Sequence, residues 1–488
     1  MGKSPYGGAI MRAAESVIVG AVQVSRLPFP FWPVSNGEWT PPPVSPRARA
    51  AERLYADEVE RRARRLGITR REFVRSAAGT ATGFMVLNTV FGLPTHASEA
   101  VLPVTPEQCD DPEAALELFD RGVFVVDVQL HHVDRVSFPQ DFWGPALRFL
   151  ETTLSDRERA DNLSQANFVK EVFVDSATAV GVISGVPDGV PLPVETMKQT
   201  RDLVNGLAGS ERALIQAMID PNHANARAPT ALSSLEHQVV DNGAKAIKTY
   251  TGNDTWWLDD EKIAYPMYQE ALRLGLDVIN VHKGFPGLLG AGAEYVTTRD
   301  LAKATRDWPQ LDFVIYHSGY FQDGTGISGF LADIEAMGPR SNLYGEIGST
   351  FATVSLFEGP TGPAHLIGSL LKALGSWRVV WGTDSIWWGS PQWQIDMLQA
   401  LQIPESMQEQ FGYPPLTDRM KERILGRNAS RLYGIDIETK RCELAVDAVA
   451  AAREAVAAPA RRGVRVEGGE TSRSLAQLAA HGRRRARR

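Results

Sequence analysis

Cysteine is scarce in this 488-residue chain: there are only Cys109 and Cys442. They offer no zinc-finger spacing. A disulfide between them would need export and closely placed Cα atoms, which sequence does not show. Basic charge is not in excess either. Lys and Arg number 51 against 58 Asp and Glu, a net charge of -7, which argues against a nucleic-acid binder. No apolar run has the roughly 20 residues of a permanent membrane span. No glycine-rich phosphate loop follows the first strand-like run, so the mark of a dinucleotide-binding open sheet is missing. What is present, 43% hydrophobic and 22% charged residues, is ordinary globular composition. It suffices for a large core with added segments.

The two ends differ from the middle. Residues 1–68 read as a disordered leader: Arg26 to Arg49 is rich in Pro, Ser and Trp, with PPPVSP at Pro41 to Pro46, and Ala50 to Gly67 is a charged, helix-compatible run. Residues 69–97 hold Thr69-Arg70-Arg71-Glu72-Phe73-Val74, then an apolar stretch with glycines, then Thr95-His96-Ala97. This order resembles a twin-arginine export signal, with the export machinery as partner and a periplasmic or extracellular location. The alternative is a basic surface helix packed on a cytoplasmic protein. Residues 98–121 read as a linker. Residues 443–488 form an Ala- and Arg-rich tail ending in GRRRARR, a solvated basic segment.

Between these ends, residues 122–442 alternate apolar runs with helix-like segments. Strand-like runs occur at Val123 to Val128, Thr178 to Ser184, Ala213 to Ile219, Ala244 to Thr249, Asp277 to Val281, Asp312 to Tyr316, Leu343 to Ile347 and Arg378 to Trp381. Helices are expected at Leu232 to Asn242, Asp260 to Leu274, Thr298 to Asp307 and Leu366 to Ala373. Gly243, Gly275 and Gly375 stand where C-caps belong. The fold class this predicts is α/β, a (β/α)8 TIM barrel.

Polar residues collect where those runs end, and chemistry in such barrels sits at the C-terminal ends of strands. The first run leads into Gln129, His131 and His132. The fourth carries Lys248, the fifth ends in His282, the sixth in His317, the seventh carries Glu346 and the eighth leads to Asp384. Imidazole and carboxylate together suit a divalent metal with one position left for water. Adjacent strand residues face opposite ways, so with His131 inward His132 faces the helices or belongs to the following loop. His223 reads as a loop residue.

DVQLHH at Asp127, INVHKG at Ile279, VIYHSG at Val314, VVWGTDS at Val379 and KERILGRNASRLYGI at Lys421 together resemble the amidohydrolase superfamily. The likeness is to the branch that includes aminocarboxymuconate-semialdehyde decarboxylase, and it spans roughly Gly122 to Ile435. It implies a divalent metal, zinc or alternatively manganese, at the barrel rim. His131 and His282 would be ligands. Asp384 would bind metal and shuttle a proton, and His317 would orient or deprotonate the attacking water, or bind metal as in some members. The family places a histidine where this chain has Gln129, a weaker ligand through its amide oxygen.

Trp256, Trp257, Trp387 and Trp388 stand near the expected rim, and with Lys248 and Glu346 they are candidate contacts for a small aromatic or carboxylated substrate. Metal-assisted hydrolysis is the reading favoured. Non-oxidative decarboxylation on the same barrel is the alternative, and a catalytically inactive exported binding protein is another. A homo-oligomer is compatible with all three.

Overall fold

The computed structural model describes residues 45–94, 98–133, 162–187, 192–222, 230–253, 255–286 and 290–453. His223, His96, most of the leader and the tail beyond residue 453 lie outside them.

Eight parallel strands form one ring. They are β1 (Val125–Leu130), β2 (Thr178–Ile183), β3 in two collinear pieces (Ala213–Ile215 and Ala217–Met218), β4 (Ile247–Tyr250), β5 (Val278–Gly284), β6 (Asp312–Tyr320), β7 (Leu343–Glu346) and β8 (Val379–Val380). Each pairs in parallel with the next. The last returns to the first. Val128 N–H donates to the Trp381 carbonyl at 3.1 Å, Asp384 N–H to Gln129 at 2.9 Å and His131 N–H to Ser385 at 2.7 Å, and Leu130 bridges Ser385 in parallel. These bonds close a (β/α)8 barrel.

Alternation divides the core in two. Val126, Val128, Val180, Val182, Val278, Val314 and Val380 fill the barrel, while Val125, Ile183, Ile247, Ile279 and Ile315 pack outward against the helices. The helices form as the periodicity predicts. Leu235–Val240, Ala264–Arg273, Leu301–Asp307 and Thr361–Leu374 precede β4, β5, β6 and β8. Gly243 and Gly275 follow the first two at φ 73° and 78°, conformations that cost a glycine little. A closing segment plugs the far end of the barrel. Asn428 donates to the carbonyls of Ser376 and Val379 at 2.9 and 2.7 Å, and the Tyr433 hydroxyl accepts from Gln216 at 2.8 Å inside the barrel floor.

The N-terminal segments are more structured than their composition suggests. Residues 46–66, in the expected leader and covering most of its helix-compatible run, form helix α1 (Pro46–Leu66), with Ser45 as N-cap and Gly67 as left-handed C-cap. Thr69 and Glu72 make a capping box for α2 (Arg70–Val74). The apolar stretch becomes α3 (Ala77–Phe91), whose Ala78, Ala81, Phe84 and Val86 are fully buried, while Arg70 and Arg71 stay exposed. Its hydrophobicity is spent on packing within the protein, and no described helix is long and apolar enough to cross a membrane. The expected linker 98–121 contains α4 (Pro106–Asp110) and α5 (Pro112–Phe119). Arg62, nearly buried, ties this layer together by pairing with Glu58 and Asp110. Beyond residue 443, Asp447 folds back to face the buried Arg212 at 3.7 Å. Cys109 is buried, Cys442 is exposed, and both are free thiols.

If α3 is integral to the fold, Phe84→Ala removes a ring that meets Phe119 edge-on at 5.8 Å and should cost about 3–5 kcal/mol. Urea unfolding followed by circular dichroism measures it; a loss below about 1 kcal/mol would mean that the helix is not core.

Candidate active site

A register shift in β1 creates the site's first wall. Val126 and Val128 point into the barrel, and simple alternation would turn Gln129 and His131 outward. The pairing of β1 with β2 slips between Asp127 and Leu130. This bulge brings both residues onto the inner face. His132 turns away instead, where its Nε2 meets Thr200 Oγ1 at 2.9 Å.

Beside it stands the end of β8. Asp384 is buried at φ 58°, one of several non-glycine residues held in the left-handed region at strand ends, with Phe285, His317, Ser318 and Ser349. Such strain persists where surrounding contacts over-determine the backbone, and it gathers at functional sites. Asp127 bolts the two strands together beneath: its carboxylate accepts from Thr383 N–H at 3.1 Å, Thr383 Oγ1 at 2.5 Å and Gln129 N–H at 3.2 Å. Burial pushes its pKa up to about 7.

The consequence is a contact between His131 Nε2 and Asp384 Oδ1 at 3.1 Å, both side chains almost wholly buried. His131 Nδ1 lies 2.6 Å from the Ser184 carbonyl, which only accepts, so Nδ1 carries the proton. The Nε2 lone pair then confronts a carboxylate. Two acceptors at that distance require a proton or a metal cation between them. Burial works against charge on Asp384, but the hydrogen bond and charge of His131, the charge of His317 and a hydrogen bond from Ser349 hold its pKa well below the usual carboxylate range.

His317 is the most constrained imidazole. Its Nδ1 meets the Gly348 carbonyl at 2.6 Å, its backbone N–H donates to Glu346 Oε2 at 2.9 Å, and its own carbonyl accepts from Thr350 Oγ1 at 2.8 Å. Gln129 Nε2 approaches its Nε2 at 3.4 Å. His282 packs edge-on against it, with centroids 4.7 Å apart, and stacks on Tyr250 at 4.9 Å. Burial, and then the Lys248 ammonium nearby, hold the His282 imidazole well below its ordinary pKa, so it is neutral. Lys248 Nζ lies 3.5 Å from the centre of the Tyr316 ring and 4.7 Å from that of Tyr250, a cation on aromatic faces.

Other candidates take different tasks. Glu346 is buried and turned onto backbone, accepting from His317 and, at 2.5 Å, from Gly348 N–H. Burial pushes its pKa up to about 8. It anchors the rim. Trp387 lies 6.2 Å from the His131 ring and forms a wall of the site. Trp388 is buried and donates through Nε1 to Ser349 Oγ at 2.8 Å. Trp256 is buried in the hydrophobic core, and Trp257 packs on Tyr295 at 4.7 Å beneath Arg299 at 3.8 Å. Ser349, Asp127 and the Ser184 carbonyl were not foreseen as site groups. Ser349 follows a strand end, as the other site residues do, and that position is the only signal it carries in the sequence.

The donor chemistry fits a divalent metal. His131 Nε2 and Asp384 Oδ1 are spaced as two ligands of one ion, and the Ser184 carbonyl orients the imidazole as outer-shell acceptors do. Gln129 Oε1 is buried without a hydrogen-bond partner, an oxygen that still needs one. Among the described residues no three His, Cys, Asp or Glu side chains are grouped to hold a metal by themselves. The amide oxygen is a further oxygen donor on the same strand end as His131, and carboxylate and carbonyl oxygens suit manganese while imidazole suits zinc.

Two glycines give the site its room. A Cβ on Gly382 would stand 1.9 Å from Glu346 Oε1, and one on Gly348 would stand 2.3 Å from Gln129 Oε1. Gly382→Ala should displace Glu346, release His317 and lower activity and metal affinity at least about tenfold. Parallel titration of both quantities checks this, and wild-type values would show that Glu346 does not set the geometry.

Residues 207–435 match the family model described as amidohydrolase. No curated protein matches the chain. Among solved structures, a putative 2-pyrone-4,6-dicarboxylic acid hydrolase from Pseudomonas putida shares 14% identity over 64% of this chain and 99% of its own, with a TM-score of 0.42. The 5-carboxyvanillate decarboxylase of Sphingomonas paucimobilis shares 12% over 64% and 100%, at 0.41. A manganese-bound 5-carboxyvanillate decarboxylase from Novosphingobium aromaticivorans shares 13% over 64% and 98%, at 0.39. The matched segment holds Lys248, His282, His317, Glu346 and Asp384, and through it the chain is similar to the amidohydrolase family.

Proposed function

We propose that this protein is a metal-dependent enzyme that hydrolyses an ester, lactone or amide bond in a small aromatic or carboxylated substrate. The observation that carries this reading is the buried His131–Asp384 pair, two groups that need a proton or a cation between them, at the C-terminal rim of a closed barrel. His131, Asp384 and the Gln129 amide oxygen would hold the metal, with neutral His282 available on the same rim. A divalent metal bound there supplies a water of lowered pKa and polarises the carbonyl.

The protein's own groups do the rest. Asp384 is kept ionised and can take a proton from the attacking water, then return it to the leaving group. His317, clamped through Nδ1, offers Nε2 as an acceptor that can orient that water. Lys248 places a cation beside Tyr250 and His282, where a substrate carboxylate would be held. Trp387 and Phe285 supply apolar walls next to His131 and His317.

Asp384→Asn should lower turnover about a hundredfold or more while the fold is retained. The assay is release of acid or alcohol from a panel of aryl esters and lactones, alongside elemental metal analysis. Carbon dioxide released from hydroxybenzoates, with no ester or lactone cleavage, would replace hydrolysis by decarboxylation. A protein that binds no metal and whose Asp384→Asn form matches the parent in every assay would be a binding protein instead.

A further inference from the structure

The turn after β7 carries a residue whose geometry exceeds a structural role. Ser349 is buried and sits at φ 53°, ahead of helix Thr350–Phe357. Its Oγ is bonded on two sides: Trp388 Nε1 donates to it at 2.8 Å, and it donates to Asp384 Oδ2. An indole N–H can only donate, so Ser349 Oγ must accept there. Its single hydroxyl hydrogen is then committed to Asp384. The two carboxylate oxygens therefore differ: Oδ2 faces the serine hydroxyl, and Oδ1 faces His131. Trp388 cannot easily drift, because its carbonyl is held by Trp393 Nε1 at 3.1 Å.

We propose that Ser349, oriented by Trp388, is a positioning residue that fixes the rotation of the Asp384 carboxylate, with Oδ1 held towards His131. The inference rests on the role given above to Asp384. A carboxylate gripped at one oxygen by a fixed donor has its plane set, and with it the directions of the lone pairs left for a metal or a water. Without the serine it can rotate or bind through both oxygens, and the proton acceptor is no longer aimed. The left-handed backbone at Ser349 is the means, since it brings Oγ between an indole and a carboxylate on the neighbouring strand end.

The test uses the full-length protein with added manganese, dihydrocoumarin as hydrolysis probe, and calorimetric titration of manganese. Ser349→Gly removes the hydroxyl while glycine takes the φ of 53° without strain. It should lower kcat and manganese affinity about 10–100-fold, with KM changed by less than about twofold. Trp388→Phe frees the hydroxyl to rotate and should give a smaller loss. The double variant should be no worse than Ser349→Gly, because both act through one hydrogen bond. Ser349→Gly with parental kcat and manganese affinity, or fully additive losses in the double variant, would overturn the proposal. Failure of the broader reading looks different: Asp384→Asn would then leave turnover and manganese binding unchanged, whereas an inactive Asp384→Asn beside a fully active Ser349→Gly sinks only the role of Ser349. Should dihydrocoumarin not be turned over, manganese affinity alone decides.

Discussion

The seam where the first strand meets the eighth is the constraint on which the site depends. Open sheets leave their edge strands far apart; closing the ring sets β1 beside β8 and places residues 129 to 131 within hydrogen-bonding reach of residues 384 to 386. Asp127 secures this seam from below through Thr383. The bulge in β1 then turns Gln129 and His131 inward at that level. Backbone closure thus creates the close contact of His131 with Asp384. The energy that holds an imidazole against a carboxylate out of water comes from the surrounding ladder as well as from the pair itself.

Around the seam, charge is distributed by burial and by fixed dipoles. The surroundings of Asp384, His131 first among them, hold its carboxyl well below the usual range, Glu346 is pushed towards its neutral form, and His282 is held neutral beside Lys248. Groups that would resemble one another in water are driven apart in proton affinity, as acid–base sites require. The turn after β7 serves several of them at once. Its Glu346, Gly348 and Thr350 immobilise His317, and its Ser349 reaches Asp384. Small residues there are a packing requirement, since the side chains of Gln129 and Glu346 fill the space a Cβ would occupy.

The N-terminal helices support the same end of the barrel from outside. Phe91 of α3 packs into the gap left by Gly359, just past the helix that Ser349 begins. Val101 and Ser98 accept hydrogen bonds from Gln402 and Glu405, which follow β8. A segment with the look of a detachable leader is therefore continuous with the packing that backs the site.

The strand count and order were legible in the sequence because buried parallel strands must be apolar runs, and helices between them must show their own period. Strand-end polarity likewise marked His131, His282, His317 and Asp384. Charge and periodicity marked Ala50 to Gly67 as helix-compatible, but not that Arg62 of helix α1 would pair with a distant aspartate. They also could not tell that Trp388 and Glu346 would turn to Ser349 and to backbone, or that Trp257 would pack between Tyr295 and Arg299. Local sequence determined the elements and the chemical types available at their ends. Only the tertiary structure decided which of them meet, because the β1 bulge and ring closure bring together residues more than 250 positions apart, and no local pattern records where a closed ring will join.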